Sequence, residues 1–209
     1  MDSDLESIRR RVAATRPAVD PLQRLLANVE GTPTPELLAL LKRPVRPASV
    51  LLTLLSRPPG LTVLFTERAA HLKDHAGQVS FPGGRLAHAG ETPVAAALRE
   101  AEEEIGLPPA VVDVFGTLDV HLTGTGFSVT PVVGLVTEGE FAPVPDPREV
   151  ARVFEVPLEF ILDPRNLSSR HRERFGSRFR THELEYQGHR IWGATAAILV
   201  SFRNLITHG

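Results

Sequence analysis

The chain has 209 residues, 42% hydrophobic and 23% charged, with a net charge of -2 and no cysteine. That length allows one sizeable core, with room for an added subdomain. The near-neutral charge removes any general attraction to nucleic acid or an anionic membrane, and the missing cysteine excludes disulfides, thiolate metal sites and a cysteine nucleophile together.

The N-terminus, MDSDLESIRRRVAATRP, is too charged for a signal peptide, and no apolar run approaches membrane-spanning length. A cytoplasmic protein is expected. Residues 1–45 read as a proline-punctuated helical extension, and residues 46–209 as the main domain. In the extension TPELLALLK is the clearest helix, with Thr34 as cap and Pro35 at the first helical position. ASVLLTLL and LTVLFTE flank the turn SRPPG and predict a hairpin, after which QVSF forms a short strand running into PGGR. TPVAAALREAEEEIGL is helix, VFGTLDVHL, VTPVVGLV and VFEVPL are strands, and GATAAILVSFRNLI is a closing helix. The segment DPRNLSSRHRERFGSRFRTH carries six arginines from Arg165 to Arg180 and reads as a mobile, solvated loop. Its alternative role is to meet an extra substrate phosphate. Strands without regular α-alternation imply an α+β sandwich.

The helix from the Thr92 cap to Gly106 contains four glutamates, at 100 and 102–104. With about 100° per residue, Val94, Leu98, Ala101 and Ile105 share the face that packs on a sheet. Glu100, Glu103 and Glu104 fall together on the other side, and Glu102 points to water. Like charges four apart cost roughly 0.2–0.5 kcal/mol per pair, and negative charge in a last turn opposes the helix dipole. A solvated acidic face is the ordinary reading of such a cluster. Gly83-Gly84 upstream and Arg99 within it favour a divalent cation instead, and all-oxygen ligands favour magnesium or manganese over zinc. Arg68, Lys73 and Arg85 add cations suited to a polyphosphate.

GGRLAHAGETPVAAALREAEEEIGL resembles the Nudix box, G-x5-E-x7-R-E-U-x-E-E-x-G-U, with U bulky and aliphatic. Glu91, Arg99-Glu100, Glu103-Glu104 and Gly106-Leu107 fall in register. Six residues rather than five separate Gly84 from Glu91, and Ala101 occupies the first aliphatic slot. Upstream, LFTERAAHLKDHAGQVSFPGG is similar to the second signature of the coenzyme A pyrophosphatase branch. There Phe65 replaces a leucine, and Lys73 stands where the branch has arginine. The resemblance implies a Nudix-type α/β/α sandwich with a mixed central sheet and an N-terminal helical extension. It implies Mg²⁺- or Mn²⁺-dependent hydrolysis of coenzyme A, or a derivative, to 4'-phosphopantetheine and adenosine 3',5'-bisphosphate.

On that basis Arg99, Glu100, Glu103 and Glu104 would be catalytic, the three glutamates and the Gly84 carbonyl would hold metal, and Arg68, Lys73 and Arg85 would bind substrate. Glu91 would support the loop before the helix. The water's proton would pass to one of these glutamates, with Glu149 a distant outsider. The partner is a small nucleotide, with neither nucleic acid nor membrane, and a homodimer is left open. The alternatives are a Nudix pyrophosphatase for ADP-ribose or NADH and a non-catalytic nucleotide sensor. A Nudix-fold isomerase is disfavoured by the missing cysteine.

Overall fold

The computed structural model describes residues 2–15, 20–72, 76–136 and 141–208. Helices α1 (Asp2–Ala14) and α2 (Pro21–Leu26) lead to strand β1 (Val29–Glu30) and helix α3 (Pro35–Leu41). Strands β2 (Arg46–Arg57) and β3 (Gly60–Arg68) make the expected hairpin, followed by β4 (Val79–Ser80) and β5 (Gly83–Arg85). Helix α4 (Pro93–Ile105) precedes β6 (Val112–Thr117), β7 (His121–Leu122), β8 (Phe127–Val136) and β9 (Val150–Pro157). Then come α5 (Leu158–Leu162), β10 (Ser168–Arg174), β11 (Ser177–Tyr186), β12 (His189–Trp192) and α6 (Gly193–His208).

The main sheet runs β4-β3-β2-β8-β6, with β5 beside β2, β7 beside β8 and β9 beside β3. It is mixed: β2 and β8 are parallel, and the other pairings are antiparallel. A strand buried on both faces needs a near-continuous apolar run, which VLLTLL in β2 supplies with only Thr53 interrupting it. Leu51 and Leu55 point to one side with Ala97, Ala101 and Ile105 of α4. Leu52 and Leu54 point to the other, where Ile198, Leu199 and Phe202 of α6 join Ile8 and Val12 of α1. Helices thus cover both faces of a mixed sheet, the α/β/α arrangement expected. Among the described residues no helix is long and apolar enough to cross a membrane.

Three expectations need correction. The arginine-rich segment is not a loop: from Ser168 it forms the β10–β11 hairpin of a second, four-stranded sheet, in which β11 also pairs with β1 and β12. Every residue of β10 is exposed, so no apolar alternation announced it; the backbone ladder to β11 alone makes it a strand. The N-terminal extension is not purely helical, because β1 pairs Val29 with Phe179. VFGTLDVHL is two strands, broken between Thr117 and His121, where Leu118 turns inward with 3% exposure. The extension packs through its apolar residues, as its leucine-rich pattern suggested, and through charge. Arg9 pairs with Asp113 while its guanidinium lies 4.4 Å from the Phe115 ring centroid. Arg24 of α2 pairs with Asp119 and donates to the Ser201 hydroxyl on α6 (3.1 Å).

Candidate active site

The site is built where α4 passes β5. Thr92 Oγ1 accepts the Ala95 amide (3.2 Å), Pro93 opens the helix, and Gly106 closes it at φ 68°. Helix ends leave carbonyls without partners. The 141–149 segment supplies two: the amides of Val144 and Asp146 donate to the carbonyls of Ile105 and Glu104, each at 2.9 Å. Those two bonds strap the last turn of α4, and with it Glu104, to a segment distant in sequence.

Strand β5 brings backbone to the helix. Gly83 has φ 154°, and a Cβ there would lie 2.6 Å from Val50 Cα, so only glycine fits. Its amide donates to Glu104 Oε2 (3.2 Å). Gly84 presents the opposite face, and a Cβ on it would fall on the Glu100 carboxylate. The two glycines are what let a strand and two carboxylates touch.

Glu104 is buried, its side chain 5% exposed, with Arg68 Nη1 3.9 Å away. Loss of water raises its pKa to about 8; the Gly83 amide and Arg68 oppose that rise, and the charges of Glu100 and Glu149 add to it. Arg99 ties together the rest. It donates to Glu91 (2.8 Å), Glu100 (2.8 Å), more loosely Glu103 (3.5 Å), and the Arg85 carbonyl (3.1 Å). Glu91 also accepts the Ala87 amide (2.5 Å), so it braces the loop before α4, and the Arg99 contact leads in lowering its pKa to about 2.

The structure therefore brings Arg68, Gly84, Glu91, Arg99, Glu100 and Glu104 together, with Glu103 at the rim, its side chain 60% exposed. The convergence expected of the three glutamates is only partial. Glu104 turns inward to Gly83, Glu100 is held by Arg99, and among the described residues no three His, Cys, Asp or Glu side chains are gathered for a metal. Arg85 contributes its carbonyl; its side chain is exposed, and in register with Ala48 it leaves the strand on the face away from Glu100. Lys73 lies outside the described residues. Glu149 is exposed on the strapped segment, and its charge adds to the rise in the Glu104 pKa. Forty-five positions separate the two, and nothing in the local pattern linked them.

The donor set fits a hard divalent cation. It is all oxygen, it includes a buried carboxylate met only loosely by Arg68, and Glu103 is exposed at the rim. An anion is invited as well: Arg68 Nε is buried with no acceptor among the described residues.

A family model of the NUDIX domain matches residues 45–179. Nudix hydrolase 15, mitochondrial, of Arabidopsis thaliana is 40% identical over 159 residues, covering 73% of this chain and 56% of that protein. The chain thus spans little more than half of that relative. An uncharacterized Nudix hydrolase, NudL, of Photorhabdus laumondii is 44% identical over 157 residues, covering 74% of this chain and 81% of its own. Among solved structures, the Nudix hydrolase RenU of M. smegmatis aligns at 28% identity with a TM-score of 0.48, over 56% of this chain and 74% of that one.

Proposed function

The chain belongs to the NUDIX domain family, and from that premise we propose that it is a Mg²⁺- or Mn²⁺-dependent pyrophosphohydrolase that cleaves the diphosphate bond of coenzyme A or a derivative. The observation that carries the reading is the corner where Gly83 and Gly84 meet the carboxylates of Glu104 and Glu100, with the unsatisfied Arg68 beside it. The residues of the FPGG motif build that corner. Phe81 is 2% exposed and stacks on Phe65 (5.1 Å between ring centroids), and the Pro82 carbonyl accepts the Leu51 amide (2.8 Å). That dependence supports the coenzyme A reading, because the motif resembling that branch is the one that shapes the cradle.

Glu100, Glu103 and Glu104, with the Gly84 carbonyl, would hold the cation. When bound, it supplies charge neutralisation on the diphosphate and an acidified water. Arg68 donates its open N–H to a phosphate oxygen, which also separates it from Glu104. Arg99 keeps Glu100 aimed at the corner and screens the repulsion among the glutamates. The water oxygen bonds to one phosphorus, the bond from that phosphorus to the bridging oxygen breaks, and two phosphate monoesters leave. The water's proton passes to a carboxylate, and Glu149 is the one left outside the ligand set.

Purified protein is incubated with coenzyme A and Mg²⁺, beside ADP-ribose, NADH and a Glu104→Gln variant, and the products are separated by chromatography. We expect 4'-phosphopantetheine and adenosine 3',5'-bisphosphate, lost in the variant. Cleavage of the other dinucleotides alone overturns the coenzyme A assignment and keeps the chemistry. No turnover of any of them overturns the enzyme reading in favour of a nucleotide sensor.

A further inference from the structure

Beyond the cleavage corner, the same end of the main sheet carries cations that the chemistry above does not use. Arg85 stands opposite Ala48 on β2, and two residues on, Arg46 stands opposite Phe127 on β8. Residues paired across a ladder share a face, so Arg85, Arg46 and Phe127 emerge on the α6 side of the sheet. The Arg46 guanidinium lies 4.1 Å from the Phe127 ring centroid and donates to the Thr125 carbonyl (3.1 Å). The β7–β8 turn that holds it is also where the arginine-rich hairpin arrives. A Cβ on Gly124 would stand 2.8 Å from Arg174 Nη1, so the missing side chain lets that guanidinium lie against the turn. Arg174 in turn sits 4.9 Å from the Phe175 ring centroid.

Two guanidinium groups from elements 128 residues apart are thus pressed onto one four-residue turn, each backed by an aromatic ring. All three arginines are exposed, and none has a carboxylate partner among the described residues. Elsewhere on the hairpin Arg170 is paired with Glu183 and Arg178 with Glu30, while Arg172 lies over the Trp192 ring. An aromatic ring orients a guanidinium without consuming its charge or its donors. From Gly84 to Arg46 the strand spacings give about 11 Å between α-carbons, past the end of β5 at Arg85; farther up that strand its other edge is taken by α4, where Glu104 accepts the Gly83 amide and Arg99 donates to the Arg85 carbonyl.

Building on the pyrophosphohydrolase reading, we infer that Arg46 and Arg174, held on the Thr123–Gly126 turn, form a second anion subsite that receives a phosphate monoester on the far side of the nucleoside whose diphosphate lies at Gly84. Arg85 lies between the two points. The subsite selects nucleotides phosphorylated at both ends over those with a single phosphate.

The test is direct binding by titration calorimetry, using adenosine 3',5'-bisphosphate and AMP as probes. The parent protein is compared with Arg46→Gln, Arg174→Gln and the conservative Arg46→Lys. The parent is expected to bind the bisphosphate at least about tenfold more tightly than AMP. Each glutamine variant should remove most of that preference. The lysine variant should keep part of it, because charge survives and the two-pronged donor does not. Equal affinity of the parent for both probes overturns the subsite, as does a preference that survives both glutamine variants. The readout needs no turnover, so a protein that fails to cleave coenzyme A yet prefers the bisphosphate loses the proposed function and keeps the subsite.

Discussion

Helix α4 and the β10–β11 hairpin are both charge-dense, and they handle charge in opposite ways. On α4 the carboxylates are confined. Glu104 is buried against the Gly83 amide with only Arg68, 3.9 Å away, as counter-ion, and a single arginine, Arg99, serves Glu91, Glu100 and Glu103. On the hairpin, charge is spread across strands. Glu183 lies between Arg170 and Arg190, Glu30 between His171 and Arg178, and every residue of β10 faces water. The exposed Glu30 pairs contribute at most about 1 kcal/mol each, while Glu183, buried at 8% exposure, is compensated by two arginines. Charge density alone therefore does not mark the site. Burial with too little compensation does, because a carboxylate held out of water is held in tension until a proton or a cation relieves it.

The largest expected effect breaks that tension. Glu104→Gln should lower kcat/KM by about 10³-fold, roughly 4 kcal/mol at the barrier, measured with saturating Mg²⁺. It should also expose the electrostatic penalty. Glu104 has a folded pKa of about 8 against an ordinary 4.5, so the folded state holds its proton more tightly. Its effect is absent below about pH 4.5, and stability falls as pH rises from there to about 8. His121 acts in the opposite sense: burial pushes its pKa down to about 4, so stability is lost as pH falls from 6.5 towards 4. The difference in melting temperature between parent and variant, without metal, isolates Glu104; it should widen from pH 4.5 to 8 in the variant's favour and shrink when Mg²⁺ is added.

Next come the two glycines, which separate fold from chemistry. Gly83→Ala drives a methyl into the backbone of β2 and should cost about 2–3 kcal/mol of stability by denaturant titration. Gly84→Ala meets only the movable end of Glu100, so the fold should hold while activity drops. Equal loss of stability in both variants would break the distinction drawn here. Arg99→Met should reduce kcat by about 10–100-fold, as for other groups that orient metal ligands, and raise the Mg²⁺ concentration needed for half-maximal rate.

The smallest effect belongs to the hairpin. Phe175 at its tip has φ 52°, a conformation costly for a bulky side chain, and Gly176 follows at φ 68°. Phe175→Gly should change stability by less than about 1 kcal/mol, because relief of the turn is set against loss of the ring's contacts. A drop as large as that of Gly83→Ala would mean that the hairpin is as constrained as the corner, and the comparison would fail.

What the sequence determined by itself was local. Thr92, Pro93 and Gly106 fix the limits of α4, and helical spacing fixes which residues face the sheet, because caps and periodicity act within a turn or two. The order of Arg99, Glu100, Glu103 and Glu104 was legible for the same reason, as were the β2–β3 hairpin and the closing helix α6. Spacing on a helix does not reveal depth, so the three glutamates looked alike. Only the tertiary structure buries Glu104, holds Glu100 and leaves Glu103 in water. It alone brings Glu149 within reach of Glu104, through amide bonds from Val144 and Asp146 to the end of α4. It alone turns an arginine-rich run into an edge strand. These are long-range outcomes, settled by which backbone groups and apolar faces find partners far along the chain, and no local pattern carries them.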